Sequence, residues 1–308
     1  MTSSINPQSE IFLTDLQQIQ NRVSIAERQL SSGLRVSLAS DDPDQISNIL
    51  QLRAQVASVQ QTQQNLSIVT PQVQSAENAI QQAIQVLDTA TSLATEATGS
   101  TADGGQRKEE IPQVQGILQQ LVSLSQTAVN GQYIFSGDLS QGPQYSLDAN
   151  GNVQQNFQTS APPQIADSNG IMISIGLTAQ QVFDAQADGS SGTGNPAPNN
   201  VFAAVSGLLT ALQDDSSSEV QTALGNIQSA SAYLNDQSSF YGAAQNNLTA
   251  ASNTASQTLV DLQQQLSNEQ DADAAQASLD LTQATTDEQA AMSAQAILKP
   301  QNLFSYLG

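Results

Sequence analysis

The side chains in this sequence with the chemistry for catalysis or metal binding are carboxylates. Asp41, Asp42 and Asp44 surround Pro43 and could form a cluster for a hard cation. Beside a proline at a helix start, however, such residues act as caps that complement the helix dipole. Asp184 to Gly189, DAQADG, opens like a calcium loop but has Gln at the third ligand position and no Glu at the twelfth. Asp148-Ala149-Asn150-Gly151-Asn152 offers oxygen donors with no distant carboxylate to complete a shell, and reads as a hairpin turn. The pairs Asp214-Asp215, Asp271 with Asp273, and Asp287-Glu288 could do acid–base work only in a pocket that separates their pKa values, so a solvated helix face is the simpler reading. With no Cys and no His there is no thiolate, no imidazole base and no zinc or copper site. These observations predict no cofactor, no metal and no enzyme activity.

Charge narrows the partners further. The 308 residues carry 7 Lys plus Arg against 28 Asp plus Glu, a net charge of −21. That balance repels nucleic-acid phosphate and anionic lipid, so neither nucleic acid nor membrane is expected as a partner. The cations Arg22, Arg28, Arg35, Arg53, Arg107 and Lys108 all precede residue 109, leaving the acidity to the rest of the chain. The opening residues, MTSSINPQSEIFLTD, have neither a basic nor an apolar signal region, and no window reaches the ~18 apolar residues of a membrane span. An exported chain of this kind is expected to use no cleaved signal peptide. Aromatics at 4% and abundant Ala, Gln, Leu and Ser suit thin helical bundles better than a wide globular core. Length allows one to three domains.

The elements that would position these groups are long helices. Phe12, Leu16, Ile19, Val23, Ala26 and Leu30 step by four and three residues and form one seam, ending near Ser32-Gly33 where Gly can take a left-handed cap. Asp41-Asp42-Pro43-Asp44 then supplies an N-cap and first-turn proline. From Ile46 to Ala97 a heptad runs through Leu52, Val59, Leu66, Val73, Ile80, Leu87 and Ala94. Its other edge, Ile49, Val56, Gln63, Thr70, Glu77, Ile84 and Thr91, turns polar at its centre, facing either solvent or another subunit. Pro71 lies inside this run and predicts a kink, or a restart capped by Thr70. After a break at Gly99 to Gly105, Ile111, Val114, Leu118, Leu121 and Ala128 predict a third helix reaching Asn130.

Asn130-Gly131 opens a different regime. Short β-like runs, QYIFS, QYSL, NVQQNFQ and IMISI, alternate with turn pairs such as Asn150-Gly151 and Asn169-Gly170, predicting a small β-rich insertion. Gly189 to Asn200, GSSGTGNPAPNN, reads as a linker. Helical signal returns from Val201 to Leu212 and from Ser217 to Asn268, where Val220, Ile227, Leu234, Tyr241, Leu248, Ala255 and Leu262 form an apolar seam whose other edge is again polar at its centre. Two long helices with matching central defects predict an antiparallel pairing of the two halves. A last helix from about Asp271 to Leu298 leaves the apolar tail Leu303, Phe304, Tyr306 and Leu307 in need of burial. The terminal seams could pack on the chain's own core, but each lies beyond a break and has one apolar face, which favours an intermolecular or mutual terminal coiled coil. The fold class expected is mainly α, an elongated antiparallel long-helix bundle or coiled coil built from both chain ends, with a small β-rich insertion.

Several stretches resemble the flagellin superfamily, in that family's order. They are QLSSGLRV at 29 to 36, DDPDQISNIL at 41 to 50, Asn65-Leu66 and Ala76-Glu77-Asn78-Ala79-Ile80 in the first half. In the second half they are YGAAQNNL at 241 to 248, LSNEQDADAA at 266 to 275 and LFSYLG at 303 to 308. The resemblance covers roughly residues 1 to 136 and 200 to 308. The connector motif lies on Ser31, Ser32, Gly33, Asp41, Asp42 and Pro43.

This resemblance implies a structural subunit of the bacterial flagellum, extracellular and exported unfolded through the flagellar channel. Residues 1–40 and 270–308 would form a terminal coiled-coil domain, 41–130 and 200–269 a helical rod domain, and 131–199 a β-rich insertion domain. Partners would be other copies of the chain, flagellar hook-associated and filament subunits, and an export chaperone. The candidate assembly residues are Leu16, Ile19, Val23 and Leu30 at the start and Ala291, Leu298, Leu303, Phe304 and Leu307 at the end. Arg22, Arg28 and Arg35 are candidate ion-pair donors toward Asp271, Asp273, Asp287 and Glu288. Pro43 after Asp41-Asp42, the NGQYIFSG stretch from Asn130 and the LFSYL ending resemble the junction members of the family more than its filament members, which implies a subunit that joins hook to filament. The alternatives are a filament subunit and, from another class, a secreted helical interaction module.

Overall fold

The computed structural model describes residues 7–99, 104–137, 142–158, 161–186 and 196–297. The chain is mainly helical, with seven helices and three short two-stranded sheets among these residues. It divides into two compact units, residues 1–58 with 258–308, and residues 59–257. The long helices α2 (Ile46–Ala97) and α6 (Ser217–Gln270) contribute to both.

In the unit of residues 59–257, the α2 positions Val59, Leu66, Val73, Ile80, Leu87 and Ala94 are all buried, as the heptad requires. On α6, Val220, Ile227, Leu234, Tyr241, Leu248 and Ala255 are buried likewise. The polar centres of the two helices meet: Gln63 Nε2 donates to Ser256 Oγ at 3.1 Å, and the Gln245 amide donates to the Glu77 carboxylate. Residues ascend on one helix as they descend on the other, so the pairing is antiparallel. The polar edge therefore faces its counterpart in the same chain over this stretch. Pro71 neither breaks nor restarts α2, and Thr70 makes no cap; its hydroxyl donates back to the Leu66 carbonyl at 2.8 Å. Pro71 sits on the exposed face, where water can solvate the carbonyl that lost its N–H partner. Helices α3 (Gly104–Ser125) and α5 (Val201–Gln213) pack on each other and complete the core with Val114, Leu118, Leu121, Val205, Leu208 and Leu212.

The third helix stops at Ser125, short of the expected Asn130. Ala128 instead belongs to β1 (Ala128–Val129), which pairs with β2 (Gln132–Tyr133) across Asn130 and Gly131, both at positive φ (53° and 79°). A two-residue hairpin turn of this hand suits the strand twist and favours Asn-Gly, and it outweighs the helical spacing of Ala128. Two further hairpins, β3 (Tyr145–Leu147) with β4 (Val153–Gln155) and β5 (Gln164–Ala166) with β6 (Met172–Ser174), follow. The chain has 7 Phe and 5 Tyr, and Phe135, Tyr145, Phe183, Phe202, Phe240 and Tyr241 meet in one cluster with ring centroids 5.2–6.4 Å apart. This aromatic cluster joins β3 and the short helix α4 (Ala179–Phe183) to α5 and α6. Asn200, expected at the end of a linker, is buried and caps α5 by accepting the Ala203 N–H at 2.8 Å.

Candidate assembly surface

The terminal helices α1 (Pro7–Ser32) and α7 (Ala274–Ile297) pack against each other. On α1, Phe12, Leu16, Ile19 and Val23 are half-buried and Ala26 is buried; on α7, Ala277 and Ala284 are buried and Leu281 and Ala291 half-buried. Two contacts give the direction: Arg22 Nη1 lies 3.1 Å from Asp287 Oδ2, and Gln20 Nε2 donates to Glu288 Oε1 at 3.3 Å. The terminal seams thus form a mutual antiparallel coiled coil. Leu30 departs from the seam: it is 38% exposed, in the last turn of α1. Leu298, Leu303, Phe304 and Leu307 lie outside the described residues.

The connectors explain the motif residues. Gly33 takes φ +70° and its N–H reaches the Gln29 carbonyl at 2.9 Å, closing the helix as only a residue without Cβ does cheaply. Ser31 and Ser32 hydroxyls donate to the Arg28 carbonyl at 3.1 and 2.7 Å. The chain then turns Leu34 onto Asp271 in a single β-bridge. Arg35 and Val36 N–H groups donate to the Gln270 carbonyl at 2.7 and 3.2 Å, and Ala272 N–H to the Gly33 carbonyl at 2.9 Å. Two motif stretches far apart in sequence, QLSSGLRV and LSNEQDADAA, are therefore joined by backbone hydrogen bonds.

Of the three arginines, Arg22 finds Asp287 as expected, whereas the other two do not reach the C-terminal acids. Arg28 pairs with Asp41 at 3.3 Å, and Arg35 with Asp42 at 3.3 Å while also donating to Gln45 Oε1 (3.1 Å) and the Glu269 carbonyl (2.6 Å). Short-range acids across the connector win because closing so small a loop costs little entropy. Asp41 organises the loop: its Oδ2 accepts the Ser37 and Leu38 N–H groups at 3.0 and 2.8 Å. Those bonds, the Leu38 one foremost, with Ser37 and Arg28 adding to them, hold its carboxyl below the ordinary aspartate range. Asp42 closes the turn that leads into α2, accepting the Gln45 N–H at Oδ1 (3.3 Å) and the Ile46 N–H at its carbonyl (3.1 Å); the helix starts only at Ile46, so exposed Pro43 lies in this turn and not in the first helical turn as expected.

The remaining carboxylates serve structure. Asp148 accepts the Asn150 and Asn152 N–H groups, and Asp184 takes Tyr145 Oη–H at 2.7 Å and Asn200 Nδ2–H at 2.6 Å. Asp215 is exposed, in keeping with the solvated reading, and also pairs with Arg107. Asp273 caps α7 through the Ala275 and Gln276 N–H groups. Among the described residues no group of three or more carboxylates stands close enough to hold a metal ion, and no helix is long and apolar enough to cross a membrane.

What seam reasoning missed is the outer face of this unit. Of twelve large apolar side chains exposed among the described residues, nine lie in residues 1–58 and 258–308; Ile11, Leu13, Leu279 and Met292 are each more than half exposed. The available signal was apolar residues on terminal helices at positions off the 3–4 stripe.

Residues 4–140 match the bacterial flagellin N-terminal helical region, and residues 224–307 the bacterial flagellin C-terminal helical region. The chain belongs to the flagellin family. Flagellin B of Helicobacter pylori is 31% identical over 119 residues, 38% of this chain and 23% of that protein. Flagellar hook-associated protein 3 of Escherichia coli is 27% identical over 206 residues, 63% of this chain and 62% of that protein. The match therefore spans about a quarter of the flagellin and about three fifths of the hook-associated relative. Among solved structures, a flagellar hook-associated protein from Vibrio parahaemolyticus has a TM-score of 0.63 at 17% identity, covering 75% of this chain and all of the other. That likeness establishes a shared fold, helices from both chain ends with a small β insertion.

Proposed function

We propose that this flagellin-family chain is a structural subunit of the bacterial flagellum that joins hook to filament by self-assembly through its terminal coiled coils. The observation that carries the reading is the concentration of exposed apolar side chains on the α1–α7 unit, a surface that burial against neighbouring copies would stabilise. The junction role, rather than the filament, draws support from the hook-associated relative, matched over 62% of its length against 23% for the flagellin. In this reading Ile11, Leu13, Leu279 and Met292 join the assembly face, while Leu16, Ile19, Val23 and Ala291 hold the unit that presents it. Arg22, Arg28 and Arg35 set its internal register. In this reading the chain works as a structural part without catalysis, is exported unfolded, and travels with an export chaperone. Its partners are other copies of itself and the adjoining hook-associated and filament subunits.

A deletion strain tests the junction role. Loss of the subunit should leave complete hooks and release unassembled flagellin into the medium. The filament reading, favoured by the 31% identity to flagellin B, predicts no released flagellin and purified chain that alone grows long filaments from hook seeds; either result displaces the junction assignment.

A further inference from the structure

Glu110, in the second turn of α3, is 4% exposed, and neither of its carboxylate oxygens has a hydrogen-bond partner. No other carboxylate among the described residues is buried in this way. A charged group in that position loses its hydration and receives nothing in exchange. The groups facing it come from few elements. Glu96 stands on α2, where its Oε1 accepts Gln106 Nε2–H at 3.2 Å. Arg107, one turn earlier on α3, donates to the Ala97 carbonyl at 3.3 Å and pairs with Asp215 from the turn between α5 and α6. Helix α5, packed along α3, contributes no ionisable side chain. The neighbours Lys108 and Glu109 are exposed. Burial raises the Glu110 carboxyl above the ordinary glutamate range, Glu96 pushes the same way, and Arg107 offsets part of the rise.

We infer that Glu110 is a proton-binding switch: protonated, it seats the start of α3 against α2, and ionised, it loosens that end of the helical unit. The neutral acid fits the site because it needs no counter-charge. The anion can regain water by fraying the first turns of α3, which begins at Gly104. The Arg107–Asp215 ion pair keeps that segment tethered while its turns open.

The sign follows from linkage. A carboxyl whose folded pKa is raised costs nothing below the unfolded value of about 4.3. Its penalty grows as pH rises from there through the folded pKa and is constant above it. Glu110→Gln in the full chain should therefore raise the melting temperature at pH 7.5 and leave it unchanged at pH 4. Hydrogen exchange of residues 104–111, corrected for intrinsic rates, should slow in the variant at pH 7.5 only. Glu109→Gln, on the exposed neighbour, should do neither. A melting shift of equal size at both pH values, or a loss at pH 7.5, overturns the switch. So does a carboxyl-carbon NMR titration of the unmodified chain in which Glu110 titrates together with Glu109.

Discussion

Tyr241→Phe isolates one hydrogen bond that ties the β insertion to α6. Tyr241 is fully buried, and its hydroxyl oxygen accepts the Leu177 N–H at 3.0 Å, just ahead of the capping box that starts α4. Phenylalanine keeps the edge-on contacts with Phe135 (6.4 Å) and Phe240 (5.3 Å), so ring packing is preserved. What is lost is the partner of a half-buried backbone donor, a change of about 1–3 kcal/mol. For a unit of this size about 2 kcal/mol lowers the melting temperature by roughly 4–8 °C. Urea unfolding should show a lower midpoint with an unchanged slope, and the Leu177 amide should exchange faster than its neighbours. Tyr233→Phe is the control. Its hydroxyl donates to the Gln181 carbonyl at 2.5 Å from a more exposed position, where water can replace it, so its cost should stay below about 1 kcal/mol. Equal losses for the two variants, or a neutral Tyr241→Phe, would show that Leu177 is satisfied some other way and refute the reasoning.

Three further outcomes are expected. Leu234→Ala should destabilise the 59–257 unit by about 2–5 kcal/mol in chemical unfolding, the cost of a core cavity, against about 1 kcal/mol for Gln245→Ala, which removes the half-buried bond to Glu77. Arg35→Lys should lower stability by about 1–2 kcal/mol, since an ammonium cannot span Asp42, Gln45 and the Glu269 carbonyl, whereas Arg22→Ala should cost no more than about 1 kcal/mol because its pair is solvated. Asp41 has a folded pKa below its unfolded value, so its stabilising effect is present above about pH 3.9 and lost as pH falls through the depressed folded value. Asp41→Asn should accordingly lower helicity retention at neutral pH and flatten the acid transition below pH 4, read by circular dichroism.

Periodicity carried most of the fold because long helices repeat one packing decision many times. Val59 through Ala94 all fell inside, since each heptad position meets the same partner seam. It failed where one residue's chemistry outranked the period. Ala128 has helical spacing but precedes Asn130-Gly131, and Pro71 is tolerated because it faces water. Single-chain spacing also could not say that the polar edge at Gln63 and Glu77 finds Ser256 and Gln245, since amides and hydroxyls satisfy one another or solvent equally well on paper. At the candidate surface the inward seam was legible, Leu30 excepted. The outward face was not, because Ile11, Leu13 and Met292 break the pattern that makes a helix readable, and charge alone gave no reason for Arg28 and Arg35 to prefer Asp41 and Asp42.

The pairing of α1 with α7 also sets an order in time. The seam of α1 has no complement before residue 274, so a chain emerging from its first residue cannot complete this contact until its last segment is free. Closing a loop of roughly 250 unfolded residues would cost about 5 kcal/mol in chain entropy, more than a short helix pair readily offsets. Once residues 59–257 have folded, Gln63 and Ser256 stand bonded, and the loop still to be closed shrinks to the short stretches on either side. Folding should therefore run like a zipper from the middle outward. The bridge between Leu34 and Asp271 closes next, and α1 with α7 last.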